Sequence, residues 1–256
     1  MRRSSRPDRT VLPSPAFSLR RMATNGTLTW LGHAAFRLDT PGGKRIYVDP
    51  FLSGNPACPE SEREPERVDL IVLTHGHDDH VGDTVALAER FGCPVVAQVE
   101  LRGWLSTKGL PETMGEAINK GGTVEVAGVK VTLTHGNHSS SAFENGTFVY
   151  LGESCGLVLE LESGFRLYVA GDTNVFGDMA LIARIYEPDL VVLPIGDHFT
   201  MGPREAAVAL ELLGAKRCVP SHYGTFPLLT GTPERLRELA PGVEIEAPEP
   251  GGSVEL

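Results

Sequence analysis

The chain has 256 residues, of which 41% are hydrophobic and 22% charged, and its formal net charge is -10. These values are typical of a globular protein that forms one large domain or two small ones. The acidic balance argues against a broad surface for nucleic acid or anionic lipid, and no apolar run is long enough to span a bilayer. We therefore expect a cytoplasmic protein that acts on a small molecule. A homo-oligomer is compatible with this composition.

The amino-terminal residues differ from the rest of the chain. Residues 1–22 contain six arginines and a single acid, Asp8. Such a segment cannot bury a core, so we predict a disordered extension over residues 1–22 and a folded domain over residues 23–256. The four cysteines are widely spaced and form no C-x-x-C pair, which favours reduced thiols over a disulfide framework.

Apolar runs bounded by glycine and proline predict alternating strands and helices. The predicted strands are Thr27–Leu31, Ala34–Leu38, Arg45–Val48, Leu70–Leu73, Pro94–Ala97, Val124–Val126, Val129–Leu133, Leu157–Leu161, Arg166–Val169, Leu190–Leu193 and Arg217–Val219. The predicted helices are Val81–Phe91, Val99–Ser106 and Pro203–Leu213. Residues 51–65 are rich in proline and glycine and predict a loop. This order indicates mixed sheets with helices on the outside.

Histidine and aspartate recur where the predicted strands end. Five strands are followed by these residues, namely His75–His80, His138, Asp172, Asp197 and His222. Loops at one edge of a rigid sheet often carry catalytic residues. Imidazole and carboxylate groups suit zinc, and also manganese or iron. We therefore predict a site for divalent metal at this edge.

The densest part of this pattern is the segment Thr74–His80, with the sequence THGHDDH. His75 and His77 are two residues apart and can reach one ion, whereas Asp79 and His80 in the next turn can reach a second. Each ion then lacks a histidine, and a carboxylate between the ions would neutralise their charge. His138, His222 and Asp172 could fill these positions.

The segment THGHDDH resembles the T-H-x-H-x-D-H signature of the metallo-β-lactamase superfamily. Five further motifs are similar to its uncharacterised UPF0173-type metal-dependent hydrolases, a branch related to ascorbate-6-phosphate lactonase and more distantly to N-acyl-phosphatidylethanolamine phospholipase D. These motifs are Trp30–Ala34, Asp49-Pro50, Ala170–Thr173 with Pro194–Gly196, and His222–Thr225. The resemblance covers about residues 27–256. It implies an α+β fold, a four-layer αββα sandwich of two mixed sheets with the site at one sheet edge.

The resemblance also implies how the ligands divide between two divalent ions, with zinc favoured. It assigns His75, His77 and His138 to one ion and Asp79, His80 and His222 to the other, with Asp172 bridging. His135 is an alternative to His138. We favour His138 because the following serines match the family's usual form.

Four further residues, His33, His198, Asp49 and Asp197, are predicted to lie at or beside the site. His33 and His198, together with metal-bound water, are candidates for the acid that protonates the leaving group, and Asp79 is a candidate catalytic group as well as a ligand. His33 could instead support a ligand. Asp49 is expected to orient a ligand histidine. Asp197 and His198 lie at the predicted edge of the site, where one of them could contact substrate, and a structural role is an equal alternative.

The predicted reaction is hydrolysis of a small ester, lactone or phosphodiester by a metal-bridged hydroxide. No G-x-S-x-G or P-loop motif occurs, which disfavours a serine hydrolase or a nucleotide triphosphatase. The sequence is also compatible with two other functions. One is an RNA-processing nuclease of the same fold, which the acidic charge disfavours. The other is a metal-binding sensor module without catalysis.

Overall fold

The structure, a computed structural model, describes residues 25–256. The first half contains β1 (Thr27–Trp30), β2 (Phe36–Asp39), β3 (Arg45–Val48), β4 (Leu70–Val72), α1 (Asp78–Val81), α2 (Thr84–Phe91), β5 (Val95–Gln98), α3 (Val99–Thr107) and β6 (Gly115–Ile118). The second half contains β7 (Thr123–Val126), β8 (Val129–His135), β9 (Ser141–Glu144), β10 (Thr147–Tyr150), β11 (Cys155–Glu160), β12 (Arg166–Val169), α4 (Met179–Tyr186), β13 (Leu190–Pro194), α5 (Pro203–Leu213), β14 (Arg217–Ser221), α6 (Pro233–Leu239), β15 (Glu244–Ile245) and β16 (Ser253–Glu255).

These strands form two seven-stranded sheets and one separate hairpin. The first sheet has the order β16-β1-β2-β3-β4-β5-β6, and the second has the order β15-β14-β13-β12-β11-β8-β7. Both sheets are mixed, because β3 to β6 and β12 to β15 run parallel while the other neighbours are antiparallel. The hairpin pairs β9 with β10.

The two sheets pack face to face, and alternation along the strands builds the core between them. In β3, Ile46 and Val48 lie in the core between the sheets, whereas Tyr47 lies in the cluster under the helices. In β4, Leu70 faces the inner core and Ile71 the outer cluster. Both faces of β4 are therefore buried, which explains its uninterrupted aliphatic sequence.

Helices cover the outer face of each sheet. Leu87 of α2 and Leu101 of α3 pack on the first sheet. Ile182 of α4, Leu210 of α5 and Leu236 of α6 pack on the second. The result is the predicted four-layer αββα sandwich of two mixed sheets.

Most predicted elements are present, but the helix expected over Val81–Phe91 is divided into α1 and α2. Gly82 separates them with a φ of 42°, and a Cβ there would lie 2.6 Å from the backbone of Phe51. The break places the acidic first turn of α1 directly after His77. Elements absent from the sequence interpretation are α4, α6, β6, β9, β10, β15 and β16.

Among the described residues, no helix combines the length and apolar character needed to cross a membrane. The predicted extension over residues 1–22 lies outside the described residues. The division of the chain at residue 22 therefore stays a prediction.

Candidate metal centre

Residues that follow β4, β12 and β14 meet at one edge of the sandwich. The amide of Cys155, at the start of β11, donates to Thr74 O at 3.0 Å and links the two sheets there. The amide of His222 donates to His33 O at 2.9 Å, which ties the end of β14 to the turn after β1. Gly171 makes the close approach possible, since a Cβ at its φ of 63° would lie 2.8 Å from Cys155 O.

Three imidazoles form the first group at this edge. His75, His77 and His138 each offer a ring nitrogen, and these atoms lie within 4.8 Å of one another. His75 is buried, and its Nε2 lies 2.9 Å from Nδ1 of His77. The three rings are close enough to hold one ion between them.

A second group lies beside the first. His33, Asp79, His80 and His222 each offer a ligand atom within 4.8 Å of the others. Asp79 lies in the first turn of α1, and His80 follows it in the same helix. His222 comes from the end of β14 and is buried. This group combines nitrogen and oxygen donors.

Asp172 lies between the two groups. Its Oδ1 is 3.4 Å from His80 Nε2, and its Oδ2 is 3.2 Å from His222 Nε2 and 3.7 Å from His138 Nε2. The same carboxylate forms a further candidate set with His75 and His80. One buried carboxylate therefore contacts imidazoles of both groups.

Several of these buried atoms have no hydrogen-bond partner. They are His33 Nδ1, His80 Nε2, Asp172 Oδ1 and both ring nitrogens of His222. A buried polar atom without a partner costs about 1–3 kcal/mol, so their concentration at one point calls for a common ligand. A carboxylate oxygen and one ring nitrogen of each neutral imidazole are lone-pair donors that suit a divalent cation, and the residues therefore fit a metal centre.

Electrostatics at the centre favour positive charge next to Asp172. Burial holds the pKa of His75 well below its ordinary value, so this imidazole is neutral as a ligand must be. Burial opposes the charged form of His222, but Asp172 and Asp79 outweigh it and raise the pKa of His222 to about 9. Burial also opposes ionisation of Asp172, yet His80 and His222 hold its pKa well below the usual range.

Asp49 holds two of the candidate ligand histidines, His75 and His80, in place. Its Oδ1 accepts from Thr74 N at 2.8 Å, and its Oδ2 accepts from Thr74 Oγ1 at 2.6 Å and from His80 Nδ1 at 2.8 Å. The Thr74 hydroxyl also lies 3.0 Å from His75 Nδ1. The Nδ1 atoms thus point to this network, and Nε2 of His80 faces Asp172.

Three residues at the centre have left-handed backbone conformations without being glycine. The φ angles are 56° for His33, 46° for Asp49 and 54° for His222. Such conformations cost about 1–3 kcal/mol and cluster at functional sites. Each of these residues follows a strand end and turns its chain sharply there.

His33 is completely buried. Its Nε2 lies 2.9 Å from Asp79 Oδ2, and its ring centroid is 3.9 Å from that of His222. Burial lowers the pKa of His33 to about 4, against the opposing hydrogen bond with Asp79. The structure thus places His33 behind Asp79 as a neutral donor.

Two other histidines lie outside this cluster. His135 packs against Phe176 with ring centroids 4.9 Å apart, and its Nδ1 is 3.3 Å from Lys120 Nζ. His198 is exposed and packs against Phe199. Of the two alternatives in the segment after β8, the structure brings His138 to the centre and leaves His135 outside.

The cluster opens into a cavity of about 350 Å³. The lining residues are His77, Asp79, His138, Ser139, Asp172, Phe199 and His222. Asp79 is 35% exposed, so this carboxylate can be reached from the cavity. A small molecule could therefore approach both groups from one side.

Known proteins are similar in sequence to this chain over most of its length. Residues 44–223 match the family model of the beta-lactamase superfamily domain. The chain is 52% identical over 214 residues to a UPF0173 metal-dependent hydrolase of Herpetosiphon aurantiacus, covering 83% of this chain and 89% of that protein. It is 48% identical over 239 residues to one from Chloroflexus aurantiacus, covering 91% and 98%.

The chain belongs to the UPF0173 metal-dependent hydrolases. A solved structure of similar fold is Igni18, a metallo hydrolase from Ignicoccus hospitalis, with a TM-score of 0.79 and 31% identity over 90% of this chain and 98% of that one. The resemblance seen in the sequence is thus confirmed, and the protein is a metal-dependent hydrolase of the metallo-β-lactamase superfamily.

Sequence reasoning missed two side chains that shape the site of this hydrolase. Phe199 lines the cavity, although it follows the predicted strand end by several residues. Ser139 lines it as well, and its hydroxyl lies 3.5 Å from His77 Nε2. The only available signal was that each residue directly follows a histidine in the sequence.

Proposed function

We propose that this hydrolase binds two divalent ions, with zinc as the favoured metal and manganese or iron as alternatives. His75, His77 and His138 would hold one ion, and the other would be held by Asp79, His80 and His222. Asp172 would bridge the two. The supporting observation is the set of unpartnered buried lone-pair atoms on His80, Asp172 and His222.

When bound, such ions lower the pKa of a water and polarise the substrate oxygen, which is the chemistry that hydrolysis of an ester, lactone or phosphodiester requires. The chain's own residues prepare the site. Asp49 sets the orientation of His80 through its 2.8 Å contact with Nδ1. The buried, neutral His33 donates from Nε2 to Asp79 Oδ2 and holds this carboxylate at the cavity wall.

His33 is therefore proposed as a positioning residue and Asp79 as both a ligand and a catalytic group. Asp79 contacts His33 through Oδ2, and its side chain is partly exposed and lines the cavity. His198 remains a candidate for the acid that protonates the leaving group, because it is exposed and adjacent to the cavity residue Phe199.

The nuclease alternative has no support among the described residues that line the cavity, which include no lysine or arginine. The sensor alternative differs from the proposal in having no turnover. A cytoplasmic location and a homo-oligomer stay predictions.

Metal analysis combined with a substrate panel tests the proposal. Purified protein should contain about two divalent ions per chain, and His75→Ala or Asp172→Ala should lose at least one. Zinc- or manganese-reconstituted protein should cleave a lactone, a carboxylic ester or bis-p-nitrophenyl phosphate. Protein that is free of metal and indifferent to chelators would contradict the metal assignment, and metal binding without turnover would favour the sensor.

A further inference from the structure

We infer that the substrate is a small uncharged ester or lactone whose apolar substituent packs against Phe199. This inference rests on the proposed function and narrows its substrate class. It makes Phe199 the specificity-determining residue of the cavity and disfavours phosphate esters.

Phe199 is the only large apolar side chain that lines the cavity within the described part of the chain. It is 53% exposed, while every other lining residue is a candidate ligand or a serine. Because a phenyl ring gains free energy when it is covered by another apolar group, an aromatic wall beside a polar centre suits a substrate of mixed character. The reacting group would meet the polar side, and the apolar substituent would meet the ring.

The backbone fixes the position of Phe199. Asp197 and His198, which precede it, have φ angles of 67° and 59°. Phe199 N donates to Asp197 O at 2.6 Å, and Asp197 N donates to Met201 O at 3.2 Å. Met201 N in turn donates to Thr173 O at 3.1 Å, which anchors the turn to the residue after Asp172. Two consecutive left-handed residues are costly, and they cluster where a side chain must be presented in one position.

The described side chains around the cavity offer an anionic substituent no cationic partner apart from the proposed ions. Proteins recognise phosphate and carboxylate mainly through arginine, lysine and helix N-termini. Among residues 25–256, those that line the cavity include neither arginine nor lysine. The helix that starts at the cavity, α1, carries Asp78 and Asp79 in its first turn, so the side chains beside the proposed ions are acidic. The uncharged hydroxyl of Ser139 is the polar group that remains for a neutral substrate.

The cavity volume limits the size of the substrate. About 350 Å³ lies at the lower end of the range of about 300–1,000 Å³ for ligand pockets. A short ester or a five- or six-membered lactone with an alkyl substituent fits this space.

The test compares acyl chain lengths in zinc-reconstituted protein. The substrates are p-nitrophenyl acetate and hexanoate, with p-nitrophenyl phosphate as the anionic comparator. We expect kcat/KM to be larger for hexanoate than for acetate, and phosphate to be the slowest. In Phe199→Ala the hexanoate-to-acetate ratio should fall about tenfold or more, while Phe199→Leu should retain most of it. Phe148→Ala, which removes an exposed aromatic ring of the β9–β10 hairpin, is the matched control and should leave the ratio unchanged.

A binding measurement separates this inference from the proposed reaction. Acetohydroxamic acid and hexanohydroxamic acid both bind zinc as the hydroxamate anion and differ only in the length of the acyl chain, and their affinity for the zinc-loaded protein can be measured by calorimetry without turnover. Tighter binding of the hexanoyl compound that disappears in Phe199→Ala would support the apolar wall even if no ester were cleaved, in which case only the proposed reaction would be wrong. Equal chain-length ratios in wild type and Phe199→Ala, in both assays, would overturn the inference, as would preferential cleavage of p-nitrophenyl phosphate.

Discussion

Replacement of Asp49 by asparagine would leave the shape of the centre almost unchanged, because the two side chains are nearly the same size, but it would alter the hydrogen bonding. Asp49 is buried and accepts three hydrogen bonds, two from Thr74 and one from His80. An asparagine offers only one acceptor oxygen and adds an NH₂ group. In either orientation of this amide, its NH₂ group would therefore face a group that donates to Asp49 in the wild type.

The consequence follows from the tautomers that this network assigns. If the NH₂ group takes the position of Oδ2, it donates to His80 Nδ1 and forces the proton of His80 onto Nε2, the atom that faces Asp172. If it takes the position of Oδ1, it faces the amide of Thr74 and leaves this buried donor unpaired. Loss of such a supporting contact typically lowers metal affinity 10- to 100-fold, which corresponds to about 1.4–2.7 kcal/mol.

Zinc affinity of Asp49→Asn can be measured by competition with a chelator of known affinity and compared with that of the wild type. Asp83→Asn is the matched control, because Asp83 also accepts three hydrogen bonds, from Leu52 N, Ser53 N and Ser53 Oγ, but lies outside the centre. We expect a 10- to 100-fold loss for Asp49→Asn and no loss for Asp83→Asn. Unchanged affinity in Asp49→Asn would show that Asp49 does not orient a ligand.

Three more predictions concern stability and the chain's amino terminus. Leu157→Ala, in the core between the sheets, should lower the free energy of unfolding by about 2–5 kcal/mol in chemical denaturation, whereas the exposed Leu181→Ala should change it by less than about 0.5 kcal/mol; equal effects would contradict the described core. Burial raises the pKa of Cys58 from 9.0 to about 11, so between these pH values the thiol ionises in the unfolded chain but not in the folded one, and the free energy of unfolding should decrease. This decrease should be smaller in Cys58→Ala than in wild type; the same dependence of unfolding free energy on pH in both proteins would contradict the burial of Cys58. Deletion of residues 1–22 should leave metal content and melting temperature unchanged, because every candidate ligand lies in the described part of the chain, and a loss of either would refute the predicted division.

The ligand pattern could be recognised from the sequence because it is local and repeated. The segment after β4 carries four of the candidate ligands within six residues, and each remaining one follows a strand end. Parallel strands place their carboxyl ends at a common edge, so the convergence could be anticipated without coordinates. Helix α5 was equally readable, since Pro203 begins it and Gly214, with a φ of 58°, ends it.

Several elements could not be read in this way. Helix α4 was not predicted from the sequence. The hairpin of β9 and β10 exposes aromatic residues on one face. The alternation there is not one of apolar and polar residues, which is the signal for a half-buried strand. The break at Gly82 depends on the approach of Phe51 from another part of the chain.

The sequence by itself determined the family, the layered fold and the set of candidate ligands, because strand periodicity and a compact ligand motif depend on near neighbours. Only the tertiary structure decided which histidines meet. It brought His138 to Asp172 and left His135 beside Phe176, and it buried His33 behind Asp79. It also turned Phe199 toward the cavity. These outcomes depend on contacts between residues far apart in the chain, where packing and hydrogen bonding decide the direction of each side chain and local pattern carries no information.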